Sequence, residues 1–146
     1  MMTNFRPLLC GGLRTALVLS LSMPVAVAAS FDGSNAFTCT AITLSSCGLD
    51  QACRGETPDT LNAPRFIHVD VPDKTITGTY SDLHEKATSI AFVSHGDGQM
   101  LLGGIDGAMT WHVSIAEDTG AMALTATRVV ENAQFAIVVL GACTRG

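Results

Sequence analysis

Between Phe66 and Cys143 the chain is a succession of short alternating runs, each cut from the next by a tight turn signal, and this spacing leaves few folds open. Phe66–Val71 places Ile67, Val69 and Val71 on one face and His68 and Asp70 on the other. Val71-Pro-Asp-Lys74 follows, with Pro72 suited to the second position of a type I turn. Thr75–Tyr80 alternates again, with Ile76 and Tyr80 inward and the threonines outward. Thr88–Ser94 and Gln99–Ile105 are joined across His95-Gly-Asp-Gly98, and Asp106-Gly107 separates Met100–Ile105 from Ala108–Ile115. Asp-Gly between apolar runs is a strong hairpin signal. Glu117–Gly120 then turns into Ala121–Val130, and Glu131–Gln134 into Phe135–Cys143. Connections this short cannot hold a parallel crossover, so neighbours run antiparallel.

The expected fold is therefore all-β: a small antiparallel up-and-down meander of seven strands, or eight if Phe37–Leu44 contributes another, each strand beside its sequence neighbour. A twisted sheet of that size tends to curl and close, so a barrel is expected, with a two-sheet sandwich as the alternative. Ser45–Pro64, with two prolines, Gly48 and Gly55, reads as a loop, and only Asp82–Ala87 has helical tendency. The apolar strand Ala136–Ala142 needs a cover on its outer face, for which the N-terminal loop is the simplest choice.

The mean hydropathy of +0.35 and the 47% hydrophobic content suggest a membrane protein until residues 1–29 are considered separately. Met1–Ala29 has a basic head (Arg6, Arg14), no acid, an apolar stretch from Thr15 and an Ala26-Val27-Ala28 exit, the parts of a cleaved secretory signal. Its core is interrupted by Pro24 and falls short of the ~20 residues a membrane span needs. The expected mature chain is one domain, 30–146, with a loop-rich segment over 30–65 and the meander over 66–143. Cleavage would remove two of the eight basic residues and none of the 13 acids, leaving a net charge of −7. Without a basic patch, nucleic acid and anionic lipid are poor partners.

Cys10 would leave with the signal, so Cys39, Cys47, Cys53 and Cys143 remain, an even number in an exported chain, as expected of disulfides. Cys47–Cys53 with Cys39–Cys143 is the expected pairing, the second joining first and last strands; Cys39–Cys53 with Cys47–Cys143 is the rival. No C-x-x-C occurs, which argues against a redox or zinc-ribbon site.

No catalytic pattern emerges. Asp118-Thr119-Gly120 matches the aspartic-protease motif, but it follows Ala116-Glu117 and falls where a hairpin turn belongs. Asp82, His84 and Glu85 could face a metal, yet nothing fixes their geometry; Ser94-His95 lacks a partner acid at known spacing. His68 and His112 fall on polar strand faces. No G-x-S-x-G, H-E-x-x-H, P-loop or G-x-G-x-x-G is found, and Gly103-Gly104 marks a bulge or bend. No cofactor or metal is expected.

The exported N-terminus, clustered cysteines, Pro64-Arg-Phe-Ile-His-Val-Asp70, the Trp111 strand and the closing Leu140-Gly-Ala-Cys-Thr144 resemble small uncharacterised secreted proteins of Gram-negative bacteria. In architecture only, the meander is similar to periplasmic inhibitors of C-type lysozyme, and none of their contact residues carries over. These features lead to the expectation of a non-enzymatic periplasmic or secreted binding protein, an inhibitor of a hydrolase or a binder of a small ligand in the barrel mouth. The alternatives are a secreted hydrolase with an unrecognised site, for which His95 and Asp118 are the positions to test, and an envelope component that dimerises through its C-terminal strand.

Overall fold

A computed structural model describes residues 30–131 and 133–145. The expected signal segment, with Cys10, lies outside these residues. In chain order the elements are β1 (Phe37–Gly48), β2 (Gln51–Glu56), α1 (Pro58–Leu61), β3 (Phe66–Asp70), β4 (Thr75–Thr79) and β5 (Glu85–Ser89), then β6 (Phe92–Gly96), β7 (Gln99–Asp106), β8 (Met109–Ala116), β9 (Ala121–Val130) and β10 (Ala133–Thr144). All strands belong to one antiparallel sheet, ordered β5-β4-β3-β1-β10-β9-β8-β7-β6, with β2 paired to β1 beside this path. The sheet curls into a half-barrel, so the expected all-β antiparallel fold holds and the sandwich does not.

Ten strands form rather than seven or eight, for two separate reasons. Ser45–Pro64 is not a loop: β1 runs on to Gly48, β2 returns along it, and α1 follows. β2 is exposed along nearly its whole length, so it carries no apolar alternation to read; backbone pairing with β1 defines it. Second, Thr88–Ser94 is a corner rather than one strand. Up to Ser89 the chain pairs with β4, and from Phe92 it pairs with β7, with the buried Ile90 at the bend. A strand that bends in this way transfers the chain from one end of the sheet to the other. β5 and β6 are consecutive yet unpaired, so the meander is broken here. The helical tendency of Asp82–Ala87 is also overridden: Glu85, Lys86 and Ala87 take register opposite Thr79, Gly78 and Thr77.

β1 itself bends. Phe37 and Cys39 face inward; the register then slips between Ala41 and Thr43, and Leu44 is the next buried residue. Ile42 is the extra residue, turned outward at 68% exposure. This β-bulge lies where β1 leaves β3 (paired with Phe37–Thr40) and takes up β2 (paired with Leu44–Gly48). Opposite it, a Cβ on Gly141 would meet the Thr40 carbonyl oxygen at 2.2 Å, so only glycine fits.

The inner face carries Phe37, Ile67, Val69, Met100, Leu102, Val113, Ile115 and Val139, the alternation expected of half-buried strands. Cys39 and Cys143 stand directly opposite each other in the β1–β10 ladder and are disulfide-bonded, with Cα atoms 3.8 Å apart. Cys47 and Cys53 form the second disulfide, across the β1–β2 hairpin. Two disulfides suit an oxidising, extracytoplasmic environment. β2 extends the sheet edge and leaves the outer face of β10 uncovered; Leu140 there is 50% exposed. The expected loop cover is therefore not what the segment provides.

One carboxylate ties the added elements together. Glu56 Oε1 accepts from Ser46 Oγ of β1 at 2.9 Å and Arg54 Nε of β2 at 2.6 Å, while Oε2 accepts from Thr60 Oγ1 of α1 at 2.8 Å. The Thr60 hydroxyl, then Arg54 and Ser46, hold its carboxyl below the usual glutamate range. The sign follows from linkage: a folded-state pKa lowered below the unfolded one stabilises above the unfolded value and is lost as pH falls through the folded one. Protection factors of the β2 and α1 amides, taken against the intrinsic exchange rate at each pH, are therefore expected to fall on acidification below the ordinary glutamate range, and Glu56→Gln should blunt that fall. The disulfides differ in reach, with sequence separations of 104 and 6. In the chain-entropy model, Cys39→Ala with Cys143→Ala should lower the unfolding free energy by ~4–5 kcal/mol, against ~2 for the Cys47 and Cys53 pair, measured by urea titration.

Candidate functional site

The two ends of the half-barrel are built differently. At one end lie the β3–β4, β6–β7 and β8–β9 turns, and Phe31 plugs the interior there. Its backbone N–H donates to the Glu117 carbonyl at 2.7 Å, and its ring meets Phe37 edge-on, with centroids 5.5 Å apart. Gly120, with φ of 72°, lies under that ring, where a Cβ would meet Phe31 at 2.7 Å. Arg145 sits over the ring, 5.3 Å from its centroid. This end is closed.

The other end is hollow. Two adjoining cavities of about 150 and 140 Å³ share Pro64, Ile67, Tyr80, Met109, Leu124 and Ala126 in their walls. The first reaches across to Ile76 and Trp111 and out to Lys86, Thr88 and Asp106; the second is capped by Leu61–Ala63, the end of α1. A cavity of ~150 Å³ lined by apolar side chains can hold a molecule of benzene's size.

Sequence explains how the space arises. Gly104, Trp111 and Ala126 face one another across β7, β8 and β9, so the largest side chain lies between two of the smallest. A Cβ on Gly104 would meet the indole at 2.6 Å and the Ser89 carbonyl oxygen at 2.8 Å. This glycine therefore lets the indole lie flat against β7 and lets the end of β5 approach. Its neighbour Gly103 is covered on the opposite face by the Phe92 ring. The ladder through both glycines is regular, so they mark a close approach and the bulge reading is not supported.

Trp111 is 7% exposed, and its indole Nε1 is buried without an acceptor among the described residues. It is also the sole tryptophan of the chain. A buried N–H without a partner costs about 1–3 kcal/mol, so its position in a cavity wall is informative. No polar or charged residue is fully buried among those described. The rim charges, Lys86 Nζ and Asp106 Oδ2, pair with each other across the slit between β5 and β7, and this contact holds the Lys86 ammonium above the usual lysine range.

The residues singled out by sequence do not converge on this cavity. Asp118 is exposed on the β8–β9 turn, where Gly120 N–H closes onto the Ala116 carbonyl at 2.8 Å. His84 pairs with Asp82 and stacks on Tyr80, with ring centroids 4.2 Å apart, while Glu85 lies 3.4 Å from Thr79 Oγ1. His68 Nδ1 is 3.2 Å from Thr38 Oγ1, and His112 lies beside Phe92 on the outer face. Among the described residues, no group of three His, Cys, Asp or Glu side chains is placed to hold a metal.

His95 does have an acid partner that spacing did not reveal: its Nδ1 is 2.7 Å from Glu117 Oε1. Ser94, the preceding strand residue, points to the opposite face, so no nucleophile–base pair forms with it. A ligand in the barrel mouth is expected from the sequence, but these walls are not; the signal that points to them is Trp111 on the predicted inner face.

Compared with protein-family models, curated proteins and solved structures, the chain matches none. Its functional reading rests on geometry alone.

Gly104 offers a direct check on the wall. Gly104→Ala should push the indole off β7 and destabilise by about 1–3 kcal/mol, with a shift in tryptophan emission, whereas Gly107→Ala, in an open turn, should leave the emission unchanged.

Proposed function

We propose that this chain is an exported, non-enzymatic binding protein of the bacterial envelope that holds a small, mainly apolar ligand in the mouth of its half-barrel. The observation that carries this reading is the pair of adjoining, mainly apolar cavities at the end away from Phe31, with Trp111 in the wall. Binding sites are typically concave and apolar, with few polar groups to fix orientation, and this space has that character. A filled interior would need a larger side chain than Ala126 provides.

Two supports come from the rest of the molecule. The disulfides suit export, and Phe31 packed against Phe37 fills the interior at the opposite end. The ion pair of Lys86 and Asp106 stands at that entrance with both side chains partly exposed, 52% and 37%, so it can swing aside at little cost.

The test uses the exported, disulfide-intact protein and an apolar aminonaphthalene probe, read by energy transfer from its one tryptophan. One-to-one saturable binding is expected. Ala126→Met should weaken it at least tenfold by filling the shared wall, without lowering the urea midpoint. Leu124→Phe, from the same wall, provides a second filling variant. No saturable signal, or binding indifferent to both substitutions, would sink the proposal.

A further inference from the structure

The shape of the hollow end narrows the ligand. We infer that the site takes one unbranched alkyl or acyl chain of about ten to twelve carbon atoms, with its single polar end at the slit between β5 and β7. This rests on the reading of the cavity as a ligand site and adds the class of ligand to it.

The space is long rather than round. Its first lobe, about 150 Å³, begins at Lys86, Thr88 and Asp106; its second, about 140 Å³, ends at Ile137 and Val139 of β10, beneath Leu61 and Ala63. In the sheet order β10 is three strands from β7 and four from β5, so the curl sets it across the interior from the slit. The lobes therefore run in series across the half-barrel. Side chains that line both, among them Met109, Leu124 and Ala126, narrow the space where the lobes meet. A waist of this kind passes a single chain and bars a branch. Met109 suits it, because an unbranched thioether adapts to what lies against it. Each lobe alone has room for the six carbons of benzene, so the pair matches a chain of about twice that.

Polarity is graded along the same line. The slit end carries an ammonium, a carboxylate and a hydroxyl, with both charged side chains partly exposed. The far end is apolar apart from Asn62, which is exposed. No polar or charged residue is fully buried among those described, so a polar group carried inward would lose its water without gaining a partner. The polar end of the ligand therefore stays at the slit. A two-chain lipid would leave its second chain in water there, so the occupant is a single-chain compound.

The experiment titrates three alcohols into the exported, disulfide-intact, ¹⁵N-labelled protein: hexan-1-ol, decan-1-ol and 3,7-dimethyloctan-1-ol, a branched isomer of decan-1-ol. Hexan-1-ol should move the amides of Lys86 and Thr88 only. Decan-1-ol should move these and also Ala63, Ile137 and Val139. The isomer has the same atoms and nearly the same affinity for water, and it should bind at least tenfold more weakly than decan-1-ol.

Ala63→Leu, which fills the second lobe, should weaken decan-1-ol at least tenfold and hexan-1-ol by no more than about twofold, since only the longer chain loses buried CH₂ groups. The wild-type shifts and the isomer pair need no variant, so they stand even if Ala63→Leu fails to fold. Decan-1-ol that reaches no further than hexan-1-ol, an isomer that binds as tightly as the straight chain, or equal losses in Ala63→Leu would each overturn the inference while leaving the cavity reading intact. If none of the three alcohols moves an amide of the cavity wall, the cavity reading itself falls.

Discussion

The β1–β10 ladder is the contact on which the rest of the molecule depends. It joins strands that begin and end the described fold, from Thr38 opposite Thr144 to Gly48 opposite Phe135. Without it the chain would be two separate meanders, β3-β4-β5 and β6 to β10, each with a bare apolar face. Bringing such distant segments together has a loop-closure cost, which the Cys39–Cys143 bond removes from the folding equilibrium once formed. Both cysteines are buried one position in from the end of the seam, so the covalent link and the core reinforce the same register. A slip of one residue would turn Phe37 and Val139 outward, which the core opposes.

That seam also explains why the interior is packed at one end and hollow at the other. Near Cys39 and Cys143, Phe31, Phe37 and Met122 fill the space, and Phe31 can reach it because the chain enters β1 from that side. At the far end β1 has already turned outward at the Ile42 bulge to follow β2. The strands that remain carry Gly78, Gly104 and Ala126 inward, and α1 with Pro64 closes the top only partly. The cavity is thus a consequence of the bend in β1 as much as of the small residues around Trp111.

Where side chains alternate between core and solvent, sequence was sufficient: β3, β4, β7, β8 and β9 lie close to where the pattern put them, and turns such as Asp97-Gly98 show the positive φ their residues favour. It was insufficient where backbone pairing acts without an apolar face. β2 is the clearest case, since Gln51–Glu56 buries almost nothing and its strand character comes from β1. The corner at Ile90 was hidden for a different reason. A bend preserves alternation on either side, so one bent run and one straight run look alike until the partners are known. Of the site, the inward position of Trp111 was legible, but the emptiness beside it was not. Emptiness depends on how far the β5 half and the β7 half stand apart, a distance no local pattern encodes.

Lys86 and Asp106 have a general role and a particular one. Both project from inward-facing register positions next to the sheet's unpaired edges, Lys86 opposite Gly78 and Asp106 opposite Met109. Inward charges at an edge discourage a second chain from adding there, and a half-barrel with two free edges at β5 and β6 needs that protection. A sheet that closed fully would need neither the charges nor the slit between β5 and β7 that they span. The same open geometry that creates the liability creates access to the cavity. A solvated ion pair serves both demands, because it repels an apolar strand edge yet opens at little cost to a ligand small enough to pass.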